Sequence, residues 1–301
     1  WSVRLRADLP ANPADRPASA MAVLGALSGG DALAAVLAAG ETPTPEMVAA
    51  AKTKQGIAPP IALGTFLAQP GAPLVTMAVR CFDGAGRLAL AQRRSLPIGV
   101  VDPDLRRWQI PVCVRSGGGR GPGVETCVVL ADATAEVALP GACPTWLVPH
   151  VDGHGYYRTN VTGAPLPPAA QLTRRERLRA ISELIAARAR GEAPVDAAIA
   201  AGLALVAERD ARVAWWALPL VTAVRRDLLD DDLDARYLRL RDRAFGKRAR
   251  ALGWHRRAGD DDDVQRLRQA ILPMLAEHDR TLGAEATRLA GAALRDPATP
   301  V

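Results

Sequence analysis

Residues Cys143 to Arg158 read Cys-Pro-Thr-Trp-Leu-Val-Pro-His-Val-Asp-Gly-His-Gly-Tyr-Tyr-Arg, and this stretch separates two different patterns in the chain. Trp146 to Val148 has the composition of a short strand, and the glycines that follow predict a turn. The sequence before the stretch reads as short strands, whereas nearly everything after it has a helical period. The stretch therefore predicts a boundary between a β region and an α region.

Before this boundary, the chain contains short runs of β-favouring residues that are bounded by Gly, Pro or Asp. Asp83-Gly84-Ala85-Gly86 is typical of a tight hairpin turn between two such runs. Several strands at this spacing predict a small antiparallel β-sandwich over residues 73–160. The predicted strands are Leu74–Arg80, Arg87–Gln92, Gln109–Arg115, Glu125–Leu130, Ala135–Leu139 and Trp146–Val148.

After a proline-rich linker, a helical period runs to the end of the chain. Thr173 and Glu176 have the spacing of a capping box, which predicts the start of a helix. Pro219 and Pro273 fall inside predicted helices and are expected to kink or split them. We predict an α-helical bundle or solenoid over residues 170–301. Its predicted helices are Arg177–Arg190, Pro194–Arg209, Arg212–Leu229, Ala235–Leu252, Asp263–Ala276 and Leu282–Leu294.

Residues 1–72 are rich in alanine and contain patches of helical pattern, such as Met21–Leu27 and Asp31–Ala39. The complete chain is therefore predicted to be a multidomain α+β protein, in which a short helical segment precedes the sandwich and the helical array. Because the first residue is Trp1 and not methionine, we expect the chain to begin inside a larger reading frame.

The 301 residues carry a formal charge of +6 at pH 7, and the isoelectric point is about 9.6. A nucleic-acid surface needs basic clusters with interleaved aromatic residues. Here the arginines alternate with acids, as in residues 174–177 and 239–243, which is typical of solvated helix faces. We therefore expect no nucleic-acid partner. No run approaches the ~18 apolar residues that a membrane span requires, so no membrane span is predicted.

The four cysteines are Cys81, Cys113, Cys127 and Cys143, and the sequence has no C-x-x-C motif. Cys113 and Cys127 flank a glycine-rich loop at residues 117–123. Two strands joined by this loop would place them near each other, which makes them a candidate disulfide. The alternative is that all four cysteines are small buried hydrophobic residues. The compartment is unknown from the sequence, but a disulfide would favour a periplasmic or secreted location.

No catalytic and no metal-binding residue is predicted in this chain. The four histidines are His150, His154, His255 and His278. None of them is followed by Glu, so the zinc motif H-E-x-x-H is absent. The acidic runs at residues 230–234 and 260–263 lack the spacing of a calcium loop, and we expect them at helix N-termini, where the helix dipole favours negative charge.

Five segments, taken in order along the chain, resemble the aminopeptidase N-type zinc metallopeptidases. The first resembles the junction after the family's catalytic domain, which implies that residues 1–72 are the C-terminal helices of a truncated catalytic domain. The second and third resemble its β-sandwich domain, and the last two resemble its helical C-terminal domain, of the kind found in endoplasmic-reticulum aminopeptidases. His150 stands where the family usually has Asn, and Trp215 lies one position late. The segments are Thr65–Val75; Leu88–Arg94 with Trp108–Val112; Asp152–Arg158; Leu205, Glu208, Asp210 and Val213; and Leu252–Trp254 with the acids 260–263 and Leu267-Arg268.

The resemblance implies a parent protein that removes N-terminal residues from peptides, with one zinc ion held by two His and a Glu. None of those motifs is present in this chain, so no zinc ligand or catalytic residue carries over, and we predict no peptidase activity from the chain alone. The chain would be a non-catalytic portion that caps the active site and shapes peptide access, with the peptide substrate bound through the catalytic domain. The alternative is a free-standing binding or scaffold protein that retains the sandwich and the helical array.

Tyr156, Tyr157 and Arg158 are interpreted as structural residues at the domain seam. We expect them to fix the sandwich against the first helices of the α region. Trp108, Trp146 and Trp254 are likewise interpreted as packing anchors and not as ligand contacts.

Overall fold

A computed structural model describes residues 65–66, 69–102 and 105–295. The helices predicted around Met21–Leu27 and Asp31–Ala39 lie outside the described residues. The chain divides into two compact units between Glu192 and Ala193. The first unit is rich in sheet and the second is helical, so the predicted α+β class is confirmed. The domain ranges 1–72, 73–160 and 170–301 stay predictions.

The described part of the first unit contains two sheets. One sheet has four strands in the order β5-β2-β1-β7, and the other has three in the order β4-β3-β6. The strands are β1 (Pro73–Phe82), β2 (Ala85–Arg94), β3 (Ile110–Gly117), β4 (Val124–Leu130), β5 (Thr134–Ala142), β6 (Trp146–Val148) and β7 (Arg158–Thr162).

The two sheets share one hydrophobic core because alternate residues of the strands point inward. Met77 and Leu90 from the first sheet and Ile110 and Leu130 from the second belong to the same buried cluster. This alternation is the period of a strand with one buried face. Trp108 is fully buried in the same cluster, as expected for a packing anchor. The six strands predicted from the sequence are confirmed, with bounds that differ by a few residues.

The seventh strand, β7, was missed by the sequence analysis. Arg158 is its first residue, and β7 pairs with β1 in the parallel direction, from Leu74 opposite Arg158 to Ala78 opposite Thr162. The expectation of a purely antiparallel sandwich is therefore wrong at this edge. The physical reason is that Arg158–Thr162 is polar and lies at the sheet edge, so it lacks the apolar alternation from which strands are recognised.

Helix α1 (Arg174–Ala189) follows the sheets and belongs to the first unit. The predicted capping box is confirmed: Thr173 Oγ1 accepts a hydrogen bond from the backbone N–H of Glu176, and the Glu176 side chain accepts one from the backbone N–H of Thr173. These two bonds satisfy donors that a helix start otherwise leaves unpaired.

The second unit consists of helices over its described residues. They are α2 (Val195–Val206), α3 (Ala211–Thr222), α4 (Asp231–Arg241), α5 (Lys247–Leu252), α6 (Asp262–Ala276) and α7 (Arg280–Arg295), and a π-turn at Asp242–Gly246 joins α4 to α5. Both acidic runs lie at helix N-termini, as predicted: Asp230 accepts the N–H of Leu233, and Asp261 accepts that of Val264.

One expectation for the helical unit is corrected by the structure. The helix predicted over Arg212–Leu229 ends at Thr222, and a short 3-10 turn follows at Arg226–Leu228. Pro219 lies inside α3 and Pro273 lies inside α6, so neither proline splits its helix, and a kink at each stays a prediction. Each lies close to the C-terminal end of its helix, within four residues of the last residue. Among the residues that the structure describes, no helix is both long enough and apolar enough to cross a membrane.

Candidate functional site

One face of α1 carries two glutamates and an arginine against the sheets. Glu176, Arg179 and Glu183 are three and four positions apart, so a helix places them on one side. Glu176 and Glu183 are both buried. Buried carboxylates are rare unless they are paired, so each should have a specific partner.

Glu183 binds the edge of the four-stranded sheet. Its Oε2 accepts hydrogen bonds from the backbone N–H of Thr159 at 2.7 Å and from the Thr159 hydroxyl at 3.3 Å. Its Oε1 accepts a hydrogen bond from Arg158 Nη1 at 3.3 Å and lies 3.2 Å from Arg179 Nε. Two guanidinium groups thus surround the negative charge of one buried carboxylate. The same carboxylate accepts a hydrogen bond from a backbone N–H of β7 that faces away from β1.

Glu176 binds the three-stranded sheet and the turn that follows it. Its Oε2 accepts a hydrogen bond of 2.7 Å from Arg115 Nη2 on β3, and its Oε1 accepts the backbone N–H of Asp152 at 3.2 Å. Asp152 has a positive φ of 49°, a conformation that aspartate tolerates better than most residues. Arg175 and Thr173 donate hydrogen bonds to the Asp152 carboxylate, so the N-terminus of α1 and this turn stabilise each other.

The three predicted seam residues are buried, and each has a defined partner. The Tyr156 ring packs edge-to-face on Phe66, with 6.0 Å between ring centroids. The Tyr157 hydroxyl donates to the Pro149 carbonyl at 3.0 Å, and burial raises the pKa of Tyr157. Arg158 also donates to Ser182 Oγ on α1 at 3.0 Å. These contacts are consistent with the predicted structural role. That the three residues stabilise the fold stays a prediction.

His150 is buried under this seam. Its Nδ1 lies 3.0 Å from the His154 carbonyl, which can only accept, so Nδ1 carries the proton in this arrangement. Its ring stacks on Tyr157 with 4.5 Å between centroids. Burial lowers the pKa of His150 well below 6.5, and the positive charges of Arg179 and Arg158 add to that effect. The imidazole is therefore neutral, and its 3.8 Å approach to Glu183 is not an ion pair at neutral pH.

The hydrogen bonds and ion pairs described above connect α1 to the two sheets. They do not resemble the zinc site that the family resemblance implies. His150 and His154 flank a turn, and one ring nitrogen of His150 is already bonded to the His154 carbonyl. A zinc motif of the H-E-x-x-H type needs two histidines on one helical face. The residues of this chain therefore do not fit that zinc site.

The structure places the four cysteines in two pairs. Cys113 and Cys127 lie directly opposite each other on β3 and β4, with Cα atoms 4.1 Å apart. Cys81 and Cys143, a pair not anticipated from the sequence, have Cα atoms 5.6 Å apart. Two pairs at disulfide distance are a weak indication of an oxidising, extracellular setting. Glu125 lies near Cys113 and Cys127, and within the described residues this is the one cluster with metal-ligand spacing.

Sequence reasoning identified Glu176 as half of a capping box but missed its bond to Arg115, and it missed Glu183 altogether. A signal was present, because two glutamates seven positions apart fall on one helical face. That face could not be recognised as buried, since its neighbours in α1 include several arginines and resemble a solvated helix.

No protein-family model matches the chain. The chain is similar to the puromycin-sensitive aminopeptidase of Caenorhabditis elegans, with 27% identity over 221 residues. The alignment covers 69% of this chain and 23% of the relative, so the chain spans about a quarter of that protein's length. This similarity supports a distant relationship of the chain to an aminopeptidase.

Proposed function

We propose that this chain forms the C-terminal, non-catalytic portion of a zinc metallo-aminopeptidase, in which it caps the active site and shapes peptide access. The observation that carries the proposal is the 27% identity to an aminopeptidase over 69% of the chain. The order of elements, sheets first and helices after them, is what the resemblance of the five segments implies.

The fold of the first unit supports a spacer role. Glu176 and Glu183 attach one helix to both sheets through buried ion pairs. These contacts hold the sheets and the helix of the first unit in one arrangement, as a spacer requires. The chemistry would come from the catalytic domain of the larger protein, whose zinc would activate a water molecule.

The first experiment compares two proteins, the 301-residue chain and the product of the full reading frame that contains it. We expect zinc-dependent release of an aminoacyl chromophore from the longer protein and none from the chain alone. Release by the purified chain would contradict the proposal. A reading frame that starts near Trp1, without an upstream H-E-x-x-H, would favour the alternative of a free-standing binding or scaffold protein.

The capping role has its own test, in which the full-length protein is compared with a form that lacks residues 193–301. We expect the shortened form to accept a wider range of peptide lengths, while its rate on a single-residue chromogenic substrate changes less. Equal peptide-length profiles for the two proteins would show that the helical unit does not shape access.

A further inference from the structure

The three-stranded sheet carries a cluster of two cysteines and one glutamate on the face turned away from the shared core. Cys113 lies on β3 between Val112 and Val114, which are buried in that core, so its side chain points to the opposite face. Cys127 is directly opposite Cys113 on β4, with 4.1 Å between the Cα atoms. Glu125 is two residues before Cys127 on the same strand and therefore shares that face. Strand geometry thus brings together three side chains that carry metal-binding atoms.

The metal-binding atoms of this cluster are close enough to share one ion. The two sulfurs and a carboxylate oxygen all lie within 4.8 Å of one another, and Glu125 Oε1 is 3.3 Å from Cys127 Sγ. Arg115, which is opposite Glu125 on β3, donates instead to Glu176 and to the Pro122 carbonyl. The glutamate is exposed and both cysteines are half-buried, so an ion can reach the cluster from solvent.

We propose that reduction of the Cys113–Cys127 disulfide opens a zinc site formed by the two thiolates and the Glu125 carboxylate. Zinc accepts both sulfur and carboxylate ligands, and at its ordinary bond lengths two ligand atoms lie roughly 3.5–4 Å apart. Rotation of the side chains after reduction therefore allows all three atoms to reach one ion. Thiolates select zinc over magnesium and calcium, which prefer oxygen ligands. Three protein ligands leave the fourth position of the ion for a water molecule.

The disulfide and the zinc site exclude each other, because the thiolate is the metal ligand and a sulfur in a disulfide bond is not a thiolate. A dithiol reductant breaks the S–S bond by supplying two electrons and two protons, and it is itself oxidised to a cyclic disulfide. The two thiols then release their protons to solvent as zinc binds. The cluster therefore holds a disulfide in an oxidising setting and zinc in a reducing one. This proposal rests on β3 and β4 alone and does not depend on the aminopeptidase relationship.

The test titrates zinc into the reduced 301-residue chain by calorimetry, after the reductant has been removed under inert gas. The variant Cys81→Ser/Cys143→Ser keeps Cys113 and Cys127 as its remaining cysteines. In its reduced form we expect one zinc ion per chain and a higher melting temperature with zinc than without it, because zinc binds the folded site. The oxidised form should bind no zinc. No binding by the reduced form at micromolar concentration, equal binding by the oxidised form, or an unchanged melting temperature would overturn the proposal.

Further variants of the otherwise unchanged chain identify the ligands. Glu125→Gln removes the carboxylate and should weaken zinc binding to the reduced chain by at least about tenfold. Glu136→Gln, at an exposed glutamate on β5, is the matched control and should bind zinc like the parent chain. Cys113→Ser/Cys127→Ser should abolish the tight binding that the reduced parent chain shows. This comparison needs no change at the other cysteine pair, so it keeps the test valid if the variant of that pair does not fold. Equal affinities of the two glutamate variants, or tight binding without Cys113 and Cys127, would overturn the proposal.

Discussion

The Glu183 carboxylate accepts a 2.7 Å hydrogen bond from the backbone N–H of Thr159, so a helix side chain completes the edge of a sheet. Arg190 donates to the carbonyl of the same residue, and both outward backbone groups of Thr159 are therefore satisfied. An edge strand otherwise offers such groups to water or to another chain. Together with the Glu176–Arg115 pair, this bond makes α1 the element that connects the two sheets.

Replacing Glu183 with alanine should destabilise the first unit strongly. The change leaves Arg158 and Arg179 without their shared counter-ion in a buried site, and breaking a buried ion pair in this way costs about 3–5 kcal/mol. The free energy of unfolding from denaturant titration of the 301-residue chain checks this. Glu285→Ala removes a partly exposed glutamate that pairs with Arg288 at the surface, and it should change the free energy of unfolding much less than Glu183→Ala. Equal effects of the two substitutions would show that the buried network is not stabilising.

Arg158→Ala should lower the melting temperature of the chain. Arg158 is 4% exposed, and its guanidinium donates to Glu183 and to Ser182, so its loss leaves a buried carboxylate undercompensated. Thermal unfolding followed by circular dichroism is the measurement. Arg80→Ala serves as the control because Arg80 is exposed on β1. An unchanged melting temperature for Arg158→Ala would remove the support for a structural seam.

The sequence predicted the features that depend on near neighbours. The capping box at Thr173 needs only a partner three residues away, and the strands of the sandwich show their alternation directly. The bond between Glu183 and Thr159 joins residues 24 positions apart, and it exists only because β7 pairs in parallel with β1. That pairing depends on topology, and no local pattern in the polar run Arg158–Thr162 indicates it.

Stability should decrease as the pH falls below the ordinary pKa of histidine, 6.5, and His150 should be responsible for part of the loss. The folded state lowers the pKa of His150, so between that lowered value and 6.5 the unfolded chain binds more protons than the folded chain. Acid therefore favours unfolding across this window. The stability that depends on neutral His150 is fully present only above pH 6.5.

The variant His150→Asn tests this linkage, since asparagine does not titrate. We expect a weaker pH dependence of the free energy of unfolding between about pH 5 and pH 6.5 than in the parent chain. A variant at position 150 with the same slope as the parent would assign the acid sensitivity to other groups.

Both cysteine pairs should be disulfides in protein isolated under oxidising conditions. Peptide mapping without reductant should recover Cys113 linked to Cys127 and Cys81 linked to Cys143. The pairs close 14 and 62 residues of chain, and on loop entropy each bond should contribute about 2–4 kcal/mol. Reduction should therefore lower the melting temperature. Thiols that react with an alkylating reagent in the unreduced, unfolded protein would contradict the assignment.

Gly155 lies directly before the seam tyrosines Tyr156 and Tyr157. Gly155 has a φ of 107°, and a Cβ at this position would overlap the ring of Tyr157. Gly155→Ala should therefore destabilise the chain through backbone strain and through displacement of a buried ring, by more than ~2 kcal/mol in total. Gly84→Ala is the matched control, because Gly84 has a φ of 80° but no atom near its Cβ position, so only the strain applies. The difference between the two free energies of unfolding isolates the cost of moving Tyr157. A difference of zero would mean that the Tyr157 ring moves at no cost in free energy. The seam would then be less tightly packed than its burial indicates.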